Sequence, residues 1–273
     1  MSQVREFLMT EKNFSDISAL VYKTCGIVLA DHKKEMVYSR LTRRIRTLGL
    51  KSFDDYLSFL KQNMSGELSN FINAITTNLT SFFREEHHFA FLRDTVFKEI
   101  KQRNKLTRRA RIWSAGCSTG EEPYSIGITC CPEFESSWDL KILATDLDSN
   151  VLAKGSNAIY ESERLQGLDP KLTKRWFLSN PKSDSYKVKD EVRELISFKR
   201  LNLLSEWPMK GPFDVIFCRN VVIYFDNQTK NKLFERYAEM LVDGGYLFLG
   251  HSESMSRDNR LFNALGQTIY QKK

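Results

Sequence analysis

The chain has 273 residues, 41% of them hydrophobic, and a formal net charge of +7, enough to bury one good core and a smaller second one. No apolar run approaches the roughly 18 residues of a membrane span, and Met-Ser-Gln-Val-Arg-Glu at the N-terminus lacks a signal peptide's apolar core, so a cytoplasmic, soluble protein is expected. Cys25, Cys117, Cys130, Cys131 and Cys218 form no C-x-x-C pair and the four histidines have no ligand spacing, which predicts packed, reduced thiols and no metal.

Residues 14–77 carry helix-period stripes and no convincing strand. Phe14, Ile17, Leu20 and Val21 form the first stripe; Val37, Leu41, Ile45 and Leu48 form the second, with Gly49 as its C-terminal cap. Ser52 with Asp55 predicts a capping box before Tyr56, Leu57, Phe59 and Leu60, and Leu68, Phe71, Ile72 and Ile75 mark a fourth helix. Arg40, Arg43, Arg44 and Arg46 make the second helix basic. Over residues 31–51 seven bases face two acids, Asp31 and Glu35, so an acidic partner surface competes with a merely solvated face.

Residues 78–85 mix polar and aromatic side chains, and Phe89, Leu92, Val96 and Ile100 predict a helix over 87–103. From residue 111 strands and helices alternate, the sign of a parallel sheet covered on both faces. Ile112–Ala115 is the first strand, Gly116 to Gly120 a small-residue turn, and Glu122–Cys131 the returning helix. Such a turn lets backbone approach a nucleotide. Yet Glu121 and Glu122 stand where a pyrophosphate would lie, and two carboxylates oppose a phosphate. A neutral or cationic nucleoside fits better, and S-adenosylmethionine is one. The second strand, Lys141–Thr145, ends in Asp146, where a carboxylate holds a ribose diol.

Pro170–Phe177 reads as a short helix, and Asp184 to Phe198 alternates as antiparallel strands with a charged turn, an insertion at about 168–198. Phe213–Cys218 is a central strand, followed by Arg219-Asn220-Val221-Val222-Ile223-Tyr224-Phe225. Asn227–Val242 is amphipathic and capped by Gly244 and Gly245; Tyr246–Leu249 and an edge strand at Thr268–Gln271 close the chain. The predicted division is 1–77, a helical domain; 78–105, a linker and helix; and 106–273, an α/β Rossmann-like domain with a small antiparallel β insertion.

Five segments together resemble the chemotaxis receptor methyltransferase family, which methylates glutamates on bacterial chemoreceptors with S-adenosylmethionine. They are Thr77-Asn78-Leu79-Thr80-Ser81-Phe82-Phe83-Arg84-Glu85, Trp113 to Ser125, Ala144-Thr145-Asp146-Leu147-Asp148, Cys218 to Phe225, and Leu249-Gly250-His251-Ser252-Glu253-Ser254. The resemblance implies that Asn78, Thr80 and Arg84 close over the cofactor, with Gly116 in the turn. Glu121 or Glu122 would hold its polar end, Asp146 the ribose, and Asn202 with Leu203 the adenine region. Arg219, Asn220 and Tyr224 would sit at the methyl-transfer end, Arg219 and Tyr224 as the catalytic candidates. It also implies docking on acidic receptor helices through the helical domain, and a receptor C-terminal peptide on the β insertion in members that use one.

The chemistry this implies is alignment. A glutamate of pKa about 4.3 is ionised at pH 7 and the sulfonium methyl is already activated, so no general base is needed. Arg219 is the residue expected to orient the substrate carboxylate, with holding the cofactor or the loop as an equal alternative and a structural ion pair as the bland one. Two rival functions remain. A nucleic-acid methyltransferase would interleave aromatics with the basic run Lys101 to Arg111, and none occur there. An adaptor that senses S-adenosylmethionine without catalysis would not need the whole Arg219–Phe225 motif.

Overall fold

Four amphipathic helices open the chain in the computed structural model, which describes residues 5–256 and 259–273. Met-Ser-Gln-Val, part of the stretch read for a leader, lies outside the described residues. Helix α1 (Glu11–Cys25) starts in a full capping box: the Thr10 hydroxyl accepts from the Asn13 N–H at 3.1 Å while Asn13 Oδ1 accepts from the Thr10 N–H at 2.9 Å. Helix α2 (Lys34–Thr47) ends with Gly49 at φ 68°, the Gly49 N–H on the Arg46 carbonyl and the Leu50 N–H on the Ile45 carbonyl, both at 3.0 Å. Ser52 caps α3 (Phe53–Gln62) by accepting from the Asp55 N–H at 3.0 Å, and α4 (Met64–Ile75) follows. Ile17, Val21, Leu41, Ile45, Phe53, Leu60 and Phe71 are fully buried between these helices, each worth about 1.5–3 kcal/mol by the area removed from water.

The helix predicted over 87–103 is α5 (His87–Phe91) and α6 (Phe97–Arg103), joined by a π turn at Leu92–Val96. The wider turn keeps Phe89, Leu92, Val96, Phe97 and Ile100 on the sheet. Then come β1 (Arg109–Ala115), α7 (Glu121–Cys130), β2 (Asp139–Asp146), α8 (Ser149–Asn157), β3 (Ile159–Glu161), α9 (Pro170–Trp176), β4 (Phe177–Asn180), β5 (Ser185–Val188), α10 (Asp190–Arg193) and β6 (Ile196–Arg200). The chain ends with β7 (Phe213–Cys218), α11 (Asn227–Met240), β8 (Leu241–Leu249), β9 (Phe262–Gly266) and β10 (Ile269–Lys272).

The main sheet has the order β6-β2-β1-β7-β8-β10-β9, parallel from β6 to β8, with β10 antiparallel to both its neighbours. A second, antiparallel sheet has the order β3-β5-β4. Three expectations need correcting. Residues 192–198 are not an antiparallel arm: Val192 ends up in the short helix α10, and β6 runs parallel to β2 from Ile142 opposite Ile196 to Asp146 opposite Arg200. Alternation with period two reveals a half-buried strand and not its direction or its partner. The last strand is not an edge, because β9, whose Phe-Asn-Ala-Leu-Gly pattern is too polar to stand out, lies outside it. Helix α11 stops at Met240, where Leu241 turns extended, and Gly244 (φ 70°) lies inside β8; the register jumps from Phe213 opposite Leu241 to Val215 opposite Tyr246.

From β1 the chain builds outward through β2 to β6, then returns to start β7 on the other side of β1. The crevice beyond the carboxyl ends of β1 and β7 is therefore the sheet's switch point, where open α/β sheets bind ligands.

Candidate functional site

The turn after β1 has Gly116 at φ 95°, Ser118 at φ 48° and Gly120 at φ 98°. A Cβ on Gly116 would lie 2.3 Å from a Val221 methyl, so the turns after β1 and β7 approach too closely for any side chain there. Asp146, at the end of β2, accepts the Ser118 N–H on Oδ2 at 2.8 Å and the Asp148 N–H on Oδ1 at 2.9 Å. Burial pushes its carboxyl above the usual range, and those two amides pull it back. Each oxygen keeps a lone pair for a further donor.

A cavity opens from this turn. Asn78, Thr80, Arg84, Gly116, Glu122, Asp146, Asn202, Leu203, Arg219, Asn220 and Tyr224 all line it. Glu121 does not: it is fully buried, accepts the Thr119 hydroxyl at 2.6 Å, and pairs with Arg164. A single residue step, about 100° around α7, separates the roles of two adjacent glutamates. Glu122 faces the cavity, with its Oε1 accepting the Ser114 hydroxyl at 2.7 Å and its Oε2 3.3 Å from an Arg219 nitrogen. Burial raises its carboxyl, and Arg219 counters the shift.

Arg219 follows β7 and its side chain is buried. The guanidinium lies 3.3 Å from Glu85 as well as from Glu122 and donates to the Arg84 carbonyl. It thus fastens residues 84–85 to the sheet, and its terminal nitrogens are already engaged within the protein. Glu85 (φ 58°) also accepts the His251 ring and backbone N–H. Burial alone would raise the Glu85 carboxyl, but Arg219 and His251 outweigh it and bring it to about 2. His88, fully buried with Nε2 2.8 Å from the Gln267 carbonyl, is lowered to about 4 by burial and is neutral at pH 7.

Sequence reasoning missed three contributors. The helical domain is itself a wall: Cys25, Ile27, Val28, Lys33 and Met36 line the cavity. Its ties include the Val28 N–H on the Tyr224 carbonyl at 2.8 Å, the Asn202 amide on the Thr24 carbonyl at 2.8 Å and the Tyr22 hydroxyl on Asp226 at 2.7 Å. Asp148 accepts Asn78 Nδ2 at 2.8 Å and the Thr76 hydroxyl at 3.0 Å, holding the interdomain segment down on β2. Glu253, buried, accepts the N–H groups of Asn220 (2.8 Å), Ile223 (3.1 Å) and Gly250 (2.6 Å), and so shapes the turn that carries Tyr224. The quoted motifs contained Asp148 and Glu253, but a carboxylate's backbone partners depend on loops distant in sequence.

The basic helix is largely neutralised. Arg44 makes two bonds to the buried Glu67 at 2.6 and 2.5 Å, Arg46 pairs with Glu6, and Lys34 pairs with Glu11. Arg40 donates to the Ile75 and Thr76 carbonyls at 2.7 Å, satisfying the end of α4. Arg43 is exposed and, among the described residues, has no ion pair.

A parallel sheet reversing between β1 and β7, with a glycine turn after its first strand and a carboxylate ending its second, defines a nucleoside-cofactor α/β domain of the methyltransferase kind. Residues 78–271 match the family described as CheR methyltransferase, SAM binding domain, and residues 12–76 the one described as CheR methyltransferase, all-alpha domain. The chain belongs to the CheR methyltransferase family. It is 43% identical to the chemotaxis protein methyltransferase of Escherichia coli K12 over 277 residues, covering 99% of this chain and 94% of that protein. It is 44% identical over 267 residues to the chemotaxis protein methyltransferase of Klebsiella aerogenes, covering 96% and 90%. It is 43% identical over 271 residues to chemotaxis protein methyltransferase 2 of Pseudomonas aeruginosa PAO1, covering 97% and 95%.

S-adenosylmethionine is accordingly the cofactor, and the site's chemistry fits it. Asp146 retains acceptor capacity for a diol, and Glu122 offers a carboxylate to an ammonium. Among the described residues no group of His, Cys, Asp and Glu is placed to hold a metal, and no helix is long and apolar enough to cross a membrane.

Proposed function

We propose that the protein methylates glutamate side chains on the cytoplasmic domains of chemoreceptors, forming methyl esters. The observation that carries this reading is the cavity's divided charge: the carboxylates Glu122 and Asp146 come from the α/β domain, whose lining cation Arg219 is already paired with Glu122, while the cations Lys33 and Arg84 come from the helical domain and the linker. Cofactor cation and substrate carboxylate thus meet walls of opposite sign. Bound in the cavity, S-adenosylmethionine would supply an activated methyl group. The chain's own task is to hold and align. Asp146 would take the ribose, Asn202 and Leu203 the adenine region, and Glu122 the polar end, with Asn78, Thr80, Arg84 and Asn220 closing over it.

Tyr224, half-buried, has its phenol raised by burial and so stays protonated at pH 7 as a donor at the reacting end. Arg219 acts by fixing Glu122 and residues 84–85, and an ionised glutamate needs no base from the protein. In this reading residues 1–77 dock on the receptor, 78–105 link, and 106–273 catalyse. Docking uses Arg43, which is exposed and has no ion pair among the described residues, rather than Arg40, Arg44 or the equally exposed but paired Arg46. A receptor C-terminal peptide has two edge strands of the small sheet to choose from, β3 with Ile159 exposed and β4 with Leu178 exposed.

The test is transfer of tritiated methyl to receptor-containing membranes. Label released by mild alkali as a volatile alcohol is expected. Alkali-stable label, or label on nucleic acid, would overturn the proposal.

A further inference from the structure

We infer that Arg164 and Glu121 are a positioning pair through which the small antiparallel sheet holds the cofactor turn in its binding conformation. The inference rests on the reading of the cavity as an S-adenosylmethionine site.

The turn is costly to keep. Ser118, a residue with a side chain, stands at φ 48°, and Gly116 and Gly120 also have positive φ. Such a backbone persists only where its surroundings over-determine it. One flank is held by the linker and β2, with the Ser118 hydroxyl on the Asn78 carbonyl at 2.8 Å and the Ser118 N–H on Asp146. The other flank is held by the small sheet. Tyr160, in β3, donates its hydroxyl to the Thr119 carbonyl at 2.8 Å, and the Thr119 hydroxyl donates to Glu121 Oε2 at 2.6 Å. Arg164, just beyond β3, pairs with Glu121 Oε1. A Cβ on Gly120 would lie 2.8 Å from the Tyr160 hydroxyl and 2.9 Å from the Gly155 Cα, so turn and sheet are in direct contact.

The carboxylate is the link between them. Glu121 has no exposure while Arg164 is 40% exposed, so the pair joins a buried charge to a surface cation. Without Arg164 the Glu121 carboxylate keeps the Thr119 hydroxyl but no cation. An unpaired charge in that position is costly, and the relief available is movement of the first turn of α7. That movement displaces the adjacent Glu122 and Gly116, both of which line the cavity. The α7 end is also coupled to the linker, since the Ser125 hydroxyl donates to the Glu121 carbonyl at 2.7 Å and accepts the Phe83 N–H at 2.9 Å.

The experiment is calorimetric titration of the full chain with S-adenosylhomocysteine, together with initial rates at varied S-adenosylmethionine. Arg164→Ala should raise the dissociation constant and cofactor KM about tenfold, within the usual range of coupling between sites. kcat should fall less than twofold, and Arg164→Lys should recover most of the affinity. Thermal melts of the same variants separate this from a general loss of fold. Wild-type binding with equal affinity in Arg164→Ala overturns the inference. So does a weakening that Lys does not rescue and that tracks the loss of melting temperature. Failure of the wild-type protein to bind at all overturns the cavity reading, and this one with it.

Discussion

Two places in this molecule where arginine meets carboxylate behave in opposite ways. At the crevice, the single guanidinium of Arg219 sits between Glu85 and Glu122, buried, where its loss leaves two carboxylates facing each other. On α2, four arginines looked like a field, yet Arg40, Arg44 and Arg46 are each engaged within the domain. Local charge counts misjudge both places: they overstate the helix, whose neutralising acids Glu6 and Glu67 lie outside residues 31–51, and they say nothing about the crevice. What decides is burial, because the interaction between charges grows as water is removed.

Arg219→Ala is the strongest way to break this contrast. It should lower turnover by about two orders of magnitude or more, as a displaced reacting end does, and destabilise the protein by about 3–5 kcal/mol, the cost of stripping a buried pair. Methylation rates and denaturant melts check both; wild-type values in each would place Arg219 with the surface arginines. Next comes Asp146→Ala. With a charged acceptor lost, cofactor affinity should drop about 10- to 100-fold, measured by calorimetry, with receptor docking unchanged.

Acid should act first through the buried cluster, and on α2 only below the ordinary carboxylate range, where Glu67, raised by burial but held down on balance by its bonds from Arg44, takes up a proton. His88 is lowered to about 4 from 6.5, so the unfolded chain binds its proton first. The stability it contributes is full above pH 6.5 and is lost as pH falls toward 4, on the order of 3 kcal/mol. Glu85, depressed to about 2, adds its own loss below pH 4.5. His88→Gln, which keeps a donor for the Gln267 carbonyl, should flatten the stability profile between pH 6.5 and 4; an unchanged slope there would exclude His88 as the source.

The smallest effects lie on α2. Arg43→Glu should raise the receptor KM about two- to fivefold at low salt, with the difference vanishing at high salt. Arg44→Ala should instead lower the melting temperature through the unpaired, buried Glu67 and leave docking alone. If Arg44→Ala weakens docking as Arg43→Glu does, the whole helix face binds and its internal pairs are exchangeable.

The cofactor half of the site was legible because its parts are local. Strand, glycine turn and helix are neighbours in sequence, and Asp146 is marked by ending its strand. Even the objection of Glu121 and Glu122 to a phosphate could be read from residue types alone. Which of the two faces the cavity could not, because that depends on Arg164, 43 positions away, drawing Glu121 into the protein.

The sequence by itself determined the elements whose signal is periodic or local: the four amphipathic helices, the central strands β1, β2, β7 and β8, the turn after β1 and the acid ending β2. Only the tertiary structure decided where long-range partners fall. It put β6 beside β2 and β9 outside β10, turned the helical domain into a wall of the cavity, and set Asp148 and Glu253 under loops from elsewhere in the chain. The physical reason is the same throughout. Periodicity records which face of an element is buried, while hydrogen-bond and charge partners are chosen by geometry that exists only after the chain has packed.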